Sequence, residues 1–284
     1  MNFKPFSSLG CDASVAHITF GSLLLASQAV WAAGPLPTTN PADLKPLRPG
    51  ILPGYMAAGS WVDSLALLPP PPAAGSAALA ADQAAYQATR VLKDTPRWAM
   101  AEKDAELSFP KAASTYACAL GVHISAETTP HLNMLLRRTL ADAGLATYRA
   151  KDSYKRTRPF MVANDAICTP TQEEALRKDG SYPSGHASLG WAWALILTEV
   201  APERANALIQ RGHAFAQSRA ICGVHWQSDV QAGMLVGAGV VAQLHNNADF
   251  NAQLGAARQE VTAARATNAT PTQDCAAEAA ALAR

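Results

Sequence analysis

His225 and Asp229 lie four residues apart and form the pair in this sequence best suited to nucleophilic chemistry. If the chain is helical from Trp226 onward, the two side chains lie one turn apart on the same face. The carboxylate can then accept the proton on imidazole Nδ1 and leave Nε2 free and basic. The same spacing is also typical of an ordinary surface hydrogen bond, so the pair alone does not indicate catalysis.

Three cationic side chains precede this pair in two stretches of the chain. Lys151 and Arg158 belong to the run KDSYKRTRP, and Arg219 comes shortly before the histidine. On a helix, Lys151 and Arg158 would lie on nearly the same face, and Pro159 would end that helix with the guanidinium directed beyond it. Two cations aimed at one point suit a dianion such as phosphate. The alternative is a solvated basic helix end that interacts with the helix dipole.

The run GSYPSGH at positions 180–186 is rich in turn-forming residues and leads directly into an apolar segment. Free backbone N–H groups at a helix N-terminus can hold an anion. Ser184 adds a hydroxyl group, Gly185 allows a close approach to the backbone, and His186 is placed where it could protonate a leaving oxygen. The alternative is a loop that caps the helix, with a histidine held by structural hydrogen bonds.

Composition excludes several classes of function. The chain has 284 residues, of which 49% are hydrophobic and 16% charged, and a net charge of +1. No global basic field therefore favours nucleic acid as a partner. The sequence contains no P-loop, no GxSxG elbow and no HExxH motif, and its carboxylates do not cluster as a two-metal phosphatase requires.

Helical periodicity and alanine-rich runs predict an all-α fold, a single-domain helical bundle with a buried central helix. The central helix is expected at 187–200, where the chain is apolar nearly all round. We expect a Pro-rich N-terminal arm at 33–80, with one short helical turn near 61–68, then a helical domain at 81–266 and a C-terminal tail at 267–284. The other predicted helices are 81–93, 95–107, 112–120, 130–156 with a possible break at Gly144, 202–219, 229–245 and 250–266.

The N-terminal 32 residues have the features of a secretory signal peptide. Lys4 gives a basic start, an apolar run centred on Leu23 to Leu25 follows, and Ala32 ends a plausible cleavage site. Export predicts an oxidising compartment, periplasmic or extracellular, in which the four remaining cysteines form two disulfides. The cysteines, which permit three pairings, are Cys118, Cys168, Cys222 and Cys275. No later stretch reaches eighteen apolar residues, so we expect no membrane span in the mature chain.

The three clusters together resemble a known family. Their order is Lys-x6-Arg-Pro, then Pro-Ser-Gly-His, then Ser-Arg-x5-His-x3-Asp, all complete here, and it resembles the phosphatidic acid phosphatase type 2 / vanadium haloperoxidase superfamily. Within it, the runs GSYPSGH, LLPPPP and DAGLATYRAKDSYKRTRPF look like the bacterial class A non-specific acid phosphatases. The resemblance covers roughly residues 61–260. Ala187 departs from it, because a threonine often follows the PSGH block.

The resemblance implies an all-helical fold, export to the periplasm, no required metal or cofactor, and a phosphohistidine intermediate. It implies that His225 is the nucleophile, Asp229 its orienting partner and His186 the general acid. The residues implied to hold the phosphoryl oxygens are Lys151, Arg158, Ser184, Gly185 and Arg219. The expected activity is hydrolysis of small phosphomonoesters with broad specificity, nucleotides among them, with phosphotransfer as a side activity. The family also suggests a homo-oligomer. The small net charge and the lack of an expected membrane span predict that neither nucleic acid nor membrane is a partner.

Three alternatives share the anion pocket: a vanadate-dependent haloperoxidase, a lipid phosphatase and a phosphate-binding protein without chemistry. The compact spacing and the available acid, His186, favour the phosphatase. We expect an acidic optimum, because this histidine must be protonated while the nucleophile stays neutral. The leaving-group pocket is expected within 100–125 and 160–180. Tyr154, Phe160 and Trp226 either form an apolar wall there or pack in the core.

Overall fold

The computed structural model describes residues 35–283, so the predicted signal peptide lies outside the described residues. Within this range the backbone is helical or irregular, and extended segments pair only in an isolated bridge between Arg48 and Ile51. The predicted all-α class is therefore confirmed. The α-helices are α1 (Ser64–Leu67), α2 (Ala77–Arg90), α3 (Pro96–Lys103), α4 (Ala117–Leu120), α5 (Pro130–Leu145), α6 (Tyr148–Tyr154), α7 (Pro159–Ala163), α8 (Glu173–Arg177), α9 (Gly185–Val200), α10 (Ala205–Ile221), α11 (Gln227–Leu244), α12 (Ala248–Ala266) and α13 (Cys275–Leu282).

Helix α9 is the central helix of the bundle, as predicted. It packs against α10, α11, α5 and α12, and most of its side chains are buried. Trp193 is completely buried, and its indole N–H donates to the carbonyl of Leu136 and lies 3.2 Å from the Thr139 hydroxyl. An apolar helix surrounded by other helices is stabilised by burial on every side. This packing fixes the N-terminal end of α9, where the PSGH residues lie.

Two glycines let α11 lie close against α9. A Cβ atom on Gly233 or Gly237 would come within 2.3 Å of the carbonyl oxygens of Ser184 and Ser188, respectively. Any side chain there would push the two helices apart, so glycine at these two positions permits the close packing. Gly239 differs, because a Cβ there would make only ordinary contacts with Val62 and Leu67.

The predicted helix at 130–156 is two helices, α5 and α6, which meet near the anticipated break at Gly144. Helix α6 ends at Tyr154, because Lys155 adopts a left-handed conformation with φ of 42°. Arg158 therefore lies in extended backbone and does not share a helical face with Lys151, so the predicted same-face geometry is wrong. Pro159 instead begins the short helix α7, a position at which proline is well tolerated.

Two disulfides join distant parts of the bundle. Cys118 pairs with Cys275, which fastens α13 in the C-terminal tail to α4, and α13 also packs on α3. Cys168 pairs with Cys222 at the C-terminal end of α10. Both bonds select one of the three pairings that the sequence left open. In the described range, no helix is long and apolar enough to cross a bilayer.

Candidate active site

His225 and Asp229 meet at the entrance to α11. The helix begins at Gln227 with Trp226 as its N-cap residue, so His225 lies in the turn before the helix and not on its face. Its Nδ1 atom is 3.4 Å from Asp229 Oδ2, and both side chains are buried. The same carboxylate oxygen accepts the backbone N–H of Trp226 at 2.8 Å. Asp229 thus both caps the helix and faces the imidazole.

A glycine turn brings His225 back toward α10. The backbone N–H groups of Val224 and His225 both donate to the carbonyl of Arg219. Gly223 makes this possible with a φ of 82°, and a Cβ there would lie 2.8 Å from Arg90 Nη1. Both the backbone conformation and the crowding therefore favour glycine at this position.

Arg158 fixes the protonation state of the proposed nucleophile. Its Nη1 atom lies 3.0 Å from His225 Nε2 and also donates to the carbonyl of Val224 at 2.9 Å. A guanidinium nitrogen can only donate, so Nε2 must accept and carry no proton. The remaining proton then resides on Nδ1, toward Asp229, which is the arrangement that leaves Nε2 basic.

Lys151 and Arg158 converge on one point, as predicted, although by a different backbone path. Lys151 Nζ and Arg158 Nη2 lie 3.1 and 3.0 Å from Oδ2 of Asp179. This carboxylate, whose side chain is 34% exposed, is an anion that the sequence analysis did not identify. Two nearly buried cations that share one carboxylate oxygen form a site with strong affinity for negative charge.

Arg219 carries a buried charge that no side-chain hydrogen bond compensates among the described residues. Its side chain is fully buried, and none of its three guanidinium nitrogens has a hydrogen-bond partner among the described residues. Burial, together with the nearby charge of Arg158, lowers the pKa of Arg219 to about 9. Its charge also lowers the pKa values of His186 and His225, and its backbone carbonyl accepts the N–H of His225. A buried cation without a partner is costly, which is typical of a site that binds an anion.

The PSGH residues form the start of α9. Ser184 is the N-cap residue, and its hydroxyl accepts the backbone N–H of Ala187. A Cβ on Gly185 would make only an ordinary contact at 3.5 Å with Thr147 Oγ1, so packing within the protein does not require glycine there. His186 Nε2 lies 3.2 Å from the carbonyl oxygen of Ala105, and this oxygen can only accept a proton. In this arrangement His186 therefore carries its proton on Nε2.

Burial and cations lower the pKa values of both active-site histidines well below their usual range. For His225 the largest cause is burial, followed by Arg158, Lys151 and Arg219. For His186 it is again burial, followed by Arg219. The pKa of Lys151 falls to about 8, mainly through burial and the charge of Arg158. Both imidazoles are therefore neutral near pH 7. A dianion bound among the cations would offset the repulsion between these cations and a protonated imidazole, and so raise both pKa values.

Asp229 also forms an ion pair with Arg156, which the sequence analysis did not predict. Arg156 Nη1 lies 2.6 Å from Asp229 Oδ1, and its Nη2 lies 2.8 Å from Oδ2 of Asp82. Asp82, on α2, also accepts the backbone N–H of Ser228 at 2.8 Å. Burial raises the pKa of Asp229, and Arg156 is the largest influence opposing that rise. Arg156 belongs to the KDSYKRTRP run, but its position in that run did not predict that it pairs with Asp229 and Asp82.

A cavity of about 300 Å³ opens above these groups. Lys151, Arg158, His186 and His225 line one part, and an apolar wall lines the rest, made by Ile51, Leu107, Leu140, Leu145 and Leu189. The predicted ranges are thus only partly correct: they include Leu107 and Leu176 but miss α5 and the N-terminal arm. Phe160 and Trp226 are buried in the core, and Tyr154 packs against Tyr182, so of the two alternatives for these rings the structure shows core packing.

Comparison with known proteins places this site in a class. The PAP2 superfamily matches residues 132–251, a range that contains every site residue named in the sequence analysis. A non-specific acid phosphatase of Providencia stuartii is 44% identical over 207 residues, which cover 72% of this chain and 84% of that protein. An acid phosphatase of Zymomonas mobilis is also 44% identical, covering 74% and 79%. A non-specific acid phosphatase of Salmonella typhimurium is 43% identical, covering 70% and 80%.

These likenesses extend over most of both chains, and the PAP2 match contains all three motifs. The chain therefore belongs to the class A non-specific acid phosphatases of the PAP2 superfamily. It is a phosphomonoester hydrolase. The haloperoxidase, lipid-phosphatase and phosphate-binding alternatives have no comparable support.

Proposed function

We propose that the protein is an exported acid phosphatase that hydrolyses small phosphomonoesters through a phosphohistidine formed on His225. The observation that carries this proposal is the guanidinium of Arg219, fully buried and without a partner among the described residues. Its backbone carbonyl accepts the N–H of His225, whose Nε2 must be unprotonated, and its charge lowers the pKa of that histidine. A buried cation beside a basic imidazole suits a phosphoryl group, which needs both charge stabilisation and a nucleophile.

In the proposed binding step, the substrate phosphate takes the place of the Asp179 carboxylate on Lys151 and Arg158. The half-exposed Asp179 can turn toward solvent at little cost, whereas the two cations are nearly buried and stay in place. Arg219, together with the hydroxyl and backbone of Ser184 and Gly185, completes the set of phosphate ligands. Charge on the equatorial oxygens is then stabilised throughout the transfer.

In the first chemical step, His225 Nε2 forms a bond to phosphorus while the bond to the leaving oxygen breaks. His186 gives a proton to that oxygen, and Asp229 stabilises the charge that His225 acquires. In the second step, His186 accepts a proton from water as the water oxygen attacks phosphorus and the P–N bond breaks. An alcohol in place of water would give phosphotransfer. General acid catalysis of this kind contributes about 10²- to 10⁴-fold.

We also propose that the enzyme is exported to an oxidising compartment. The N-terminal segment predicts export, and the two disulfides suit an oxidising compartment such as the periplasm. The net charge of +1 gives no support for a nucleic-acid partner. We propose broad specificity that includes nucleotides, and a homo-oligomer as the family suggests.

Trapping the intermediate tests the central claim. Purified protein in EDTA is mixed with p-nitrophenyl phosphate between pH 4 and 7 and quenched in alkali. We expect phosphate on the peptide that contains His225, stable in base and labile in acid, and its absence in His225→Ala. His245→Ala is the matched control, because His245 is exposed and pairs with Glu199 on the surface. Absence of turnover across this pH range, or labelling that survives in His225→Ala, would contradict the proposal.

The acid role of His186 predicts a dependence on the leaving group. His186→Ala should slow hydrolysis of alkyl phosphates by about 10²-fold or more, and hydrolysis of p-nitrophenyl phosphate much less, since p-nitrophenolate needs little protonation. The wild-type rate should also fall as pH rises, because the acid form of His186 is lost, and the variant should show a weaker fall. Steady-state rates for both substrates from pH 4 to 8 measure this. Equal losses on the two substrates would argue against the acid role.

A further inference from the structure

The apolar wall of the active-site cavity lies where a leaving group must sit. The leaving oxygen has to reach His186, so the leaving group occupies the part of the cavity next to that ring. Leu189 follows His186 by three residues on α9 and therefore shares its helical face. Leu140 and Leu145 of α5 line the same cavity, as does Leu107. The surface offered to the leaving group is thus mainly aliphatic.

Asp179 also lines the cavity, but it turns toward solvent in the proposed binding step. The other polar groups beside the wall are already hydrogen-bonded or stand at the rim. The hydroxyl of Thr147 donates to the carbonyl of Gly144 at 2.7 Å. Arg48 and Tyr148 line the cavity but are exposed to solvent, which places them at its mouth. A sugar or polyol that enters the cavity would lose hydrogen bonds to water and gain few in return.

From this wall we infer that the enzyme, within the broad range proposed above, prefers phosphomonoesters whose leaving group is an apolar alkyl or aryl alcohol to those of sugars and polyols. The inference rests on the proposed function, since it assumes that His186 marks the leaving-group side. Contact with the wall is the same in the ground state and the transition state, so the preference should appear mainly as a lower KM. Hydrophobic pockets distinguish one methylene group by about 10- to 200-fold in kcat/KM.

The test compares n-hexyl phosphate with glycerol 1-phosphate. Both release a primary alcohol, so their different apolar character dominates the comparison. We expect kcat/KM to favour hexyl phosphate by about 10-fold or more. In Leu140→Asn, which has nearly the same shape, this ratio should fall by about 10-fold, and Leu140→Met should retain it. Leu107→Asn, at a half-buried position, provides a second variant if Leu140→Asn does not fold.

Leu235→Asn is the matched control, because Leu235 is 49% exposed on α11 and does not line the cavity. It should leave both kcat/KM values unchanged. If the wild type hydrolyses both esters equally well, the inference is wrong while the phosphatase mechanism stands. If the ratio is unchanged in both Leu140→Asn and Leu107→Asn, the wall does not carry the preference. If neither ester is hydrolysed while p-nitrophenyl phosphate is, the inference is wrong. If p-nitrophenyl phosphate is not hydrolysed either, the proposed function itself fails.

Discussion

Replacing Arg219 with methionine should abolish phosphatase activity and at the same time raise the midpoint temperature of unfolding. The guanidinium is fully buried and has no hydrogen-bond partner among the described residues. Removing a charge from water costs several kcal/mol. In the free protein no hydrogen bond from the guanidinium offsets that cost among the described residues, and the charge of Asp104 compensates it only in part. Methionine keeps much of the volume without the charge. The loss of a cation that stabilises a phosphoryl group should reduce kcat/KM by about 10²- to 10³-fold or more.

Thermal unfolding and steady-state kinetics on the same preparations measure both effects. Inorganic phosphate should stabilise the wild type, by about 2.7 kcal/mol at 100 times its Kd, but the Arg219→Met variant far less. Arg211→Met is the contrasting variant, because Arg211 is also buried but pairs with the buried Asp104. Its removal leaves that carboxylate without its cation and should destabilise by about 3–5 kcal/mol. If Arg219→Met lowered the unfolding temperature as Arg211→Met does, Arg219 would be a structural residue.

The contrast between these two arginines shows what the sequence could and could not predict. Arg219 was identified because it belongs to a motif with fixed spacing, and the all-helical fold followed from periodicity. Arg211, Arg156 and Asp179 were missed because their partners are distant in sequence or lie in irregular segments. Asp82, for example, joins the site from α2, near the other end of the domain. Local patterns do not encode such contacts, since they depend on how whole helices pack.

The sequence also did not predict the backbone conformation between Lys151 and Arg158. Lys151 and Arg158 were expected to share a helical face, yet they converge on Asp179 because the helix ends at Tyr154 and the chain then extends. A left-handed residue at Lys155 has no strong signature, since lysine rarely adopts that conformation. The apolar wall likewise combines side chains from the arm, α5 and α9. The motif therefore specified which groups we propose to act on phosphate, whereas tertiary packing determines which apolar side chains line the rest of the cavity.

Arg156→Met should destabilise the protein and impair catalysis, although Arg156 does not line the cavity. It is a positioning residue, because its Nη1 atom contacts Asp229 Oδ1 at 2.6 Å and so fixes the carboxylate that faces His225. Removing it leaves the fully buried Asp229 without its cation, which typically costs about 3–5 kcal/mol. The double variant Arg156→Met/Asp229→Asn removes both charges and should recover much of the stability but not the activity.

The pH dependence of unfolding distinguishes this electrostatic role from lost packing. Burial raises the pKa of Asp229, and Arg156 opposes the rise, so its removal should raise that pKa further. A carboxyl group with a raised pKa in the folded state favours folding where it is protonated, and that stability is lost as pH rises. The destabilisation caused by Arg156→Met should therefore shrink as pH falls from 7 toward 4. Denaturant unfolding of both proteins across this range measures it, and a difference independent of pH would mean that Arg156 contributes packing alone.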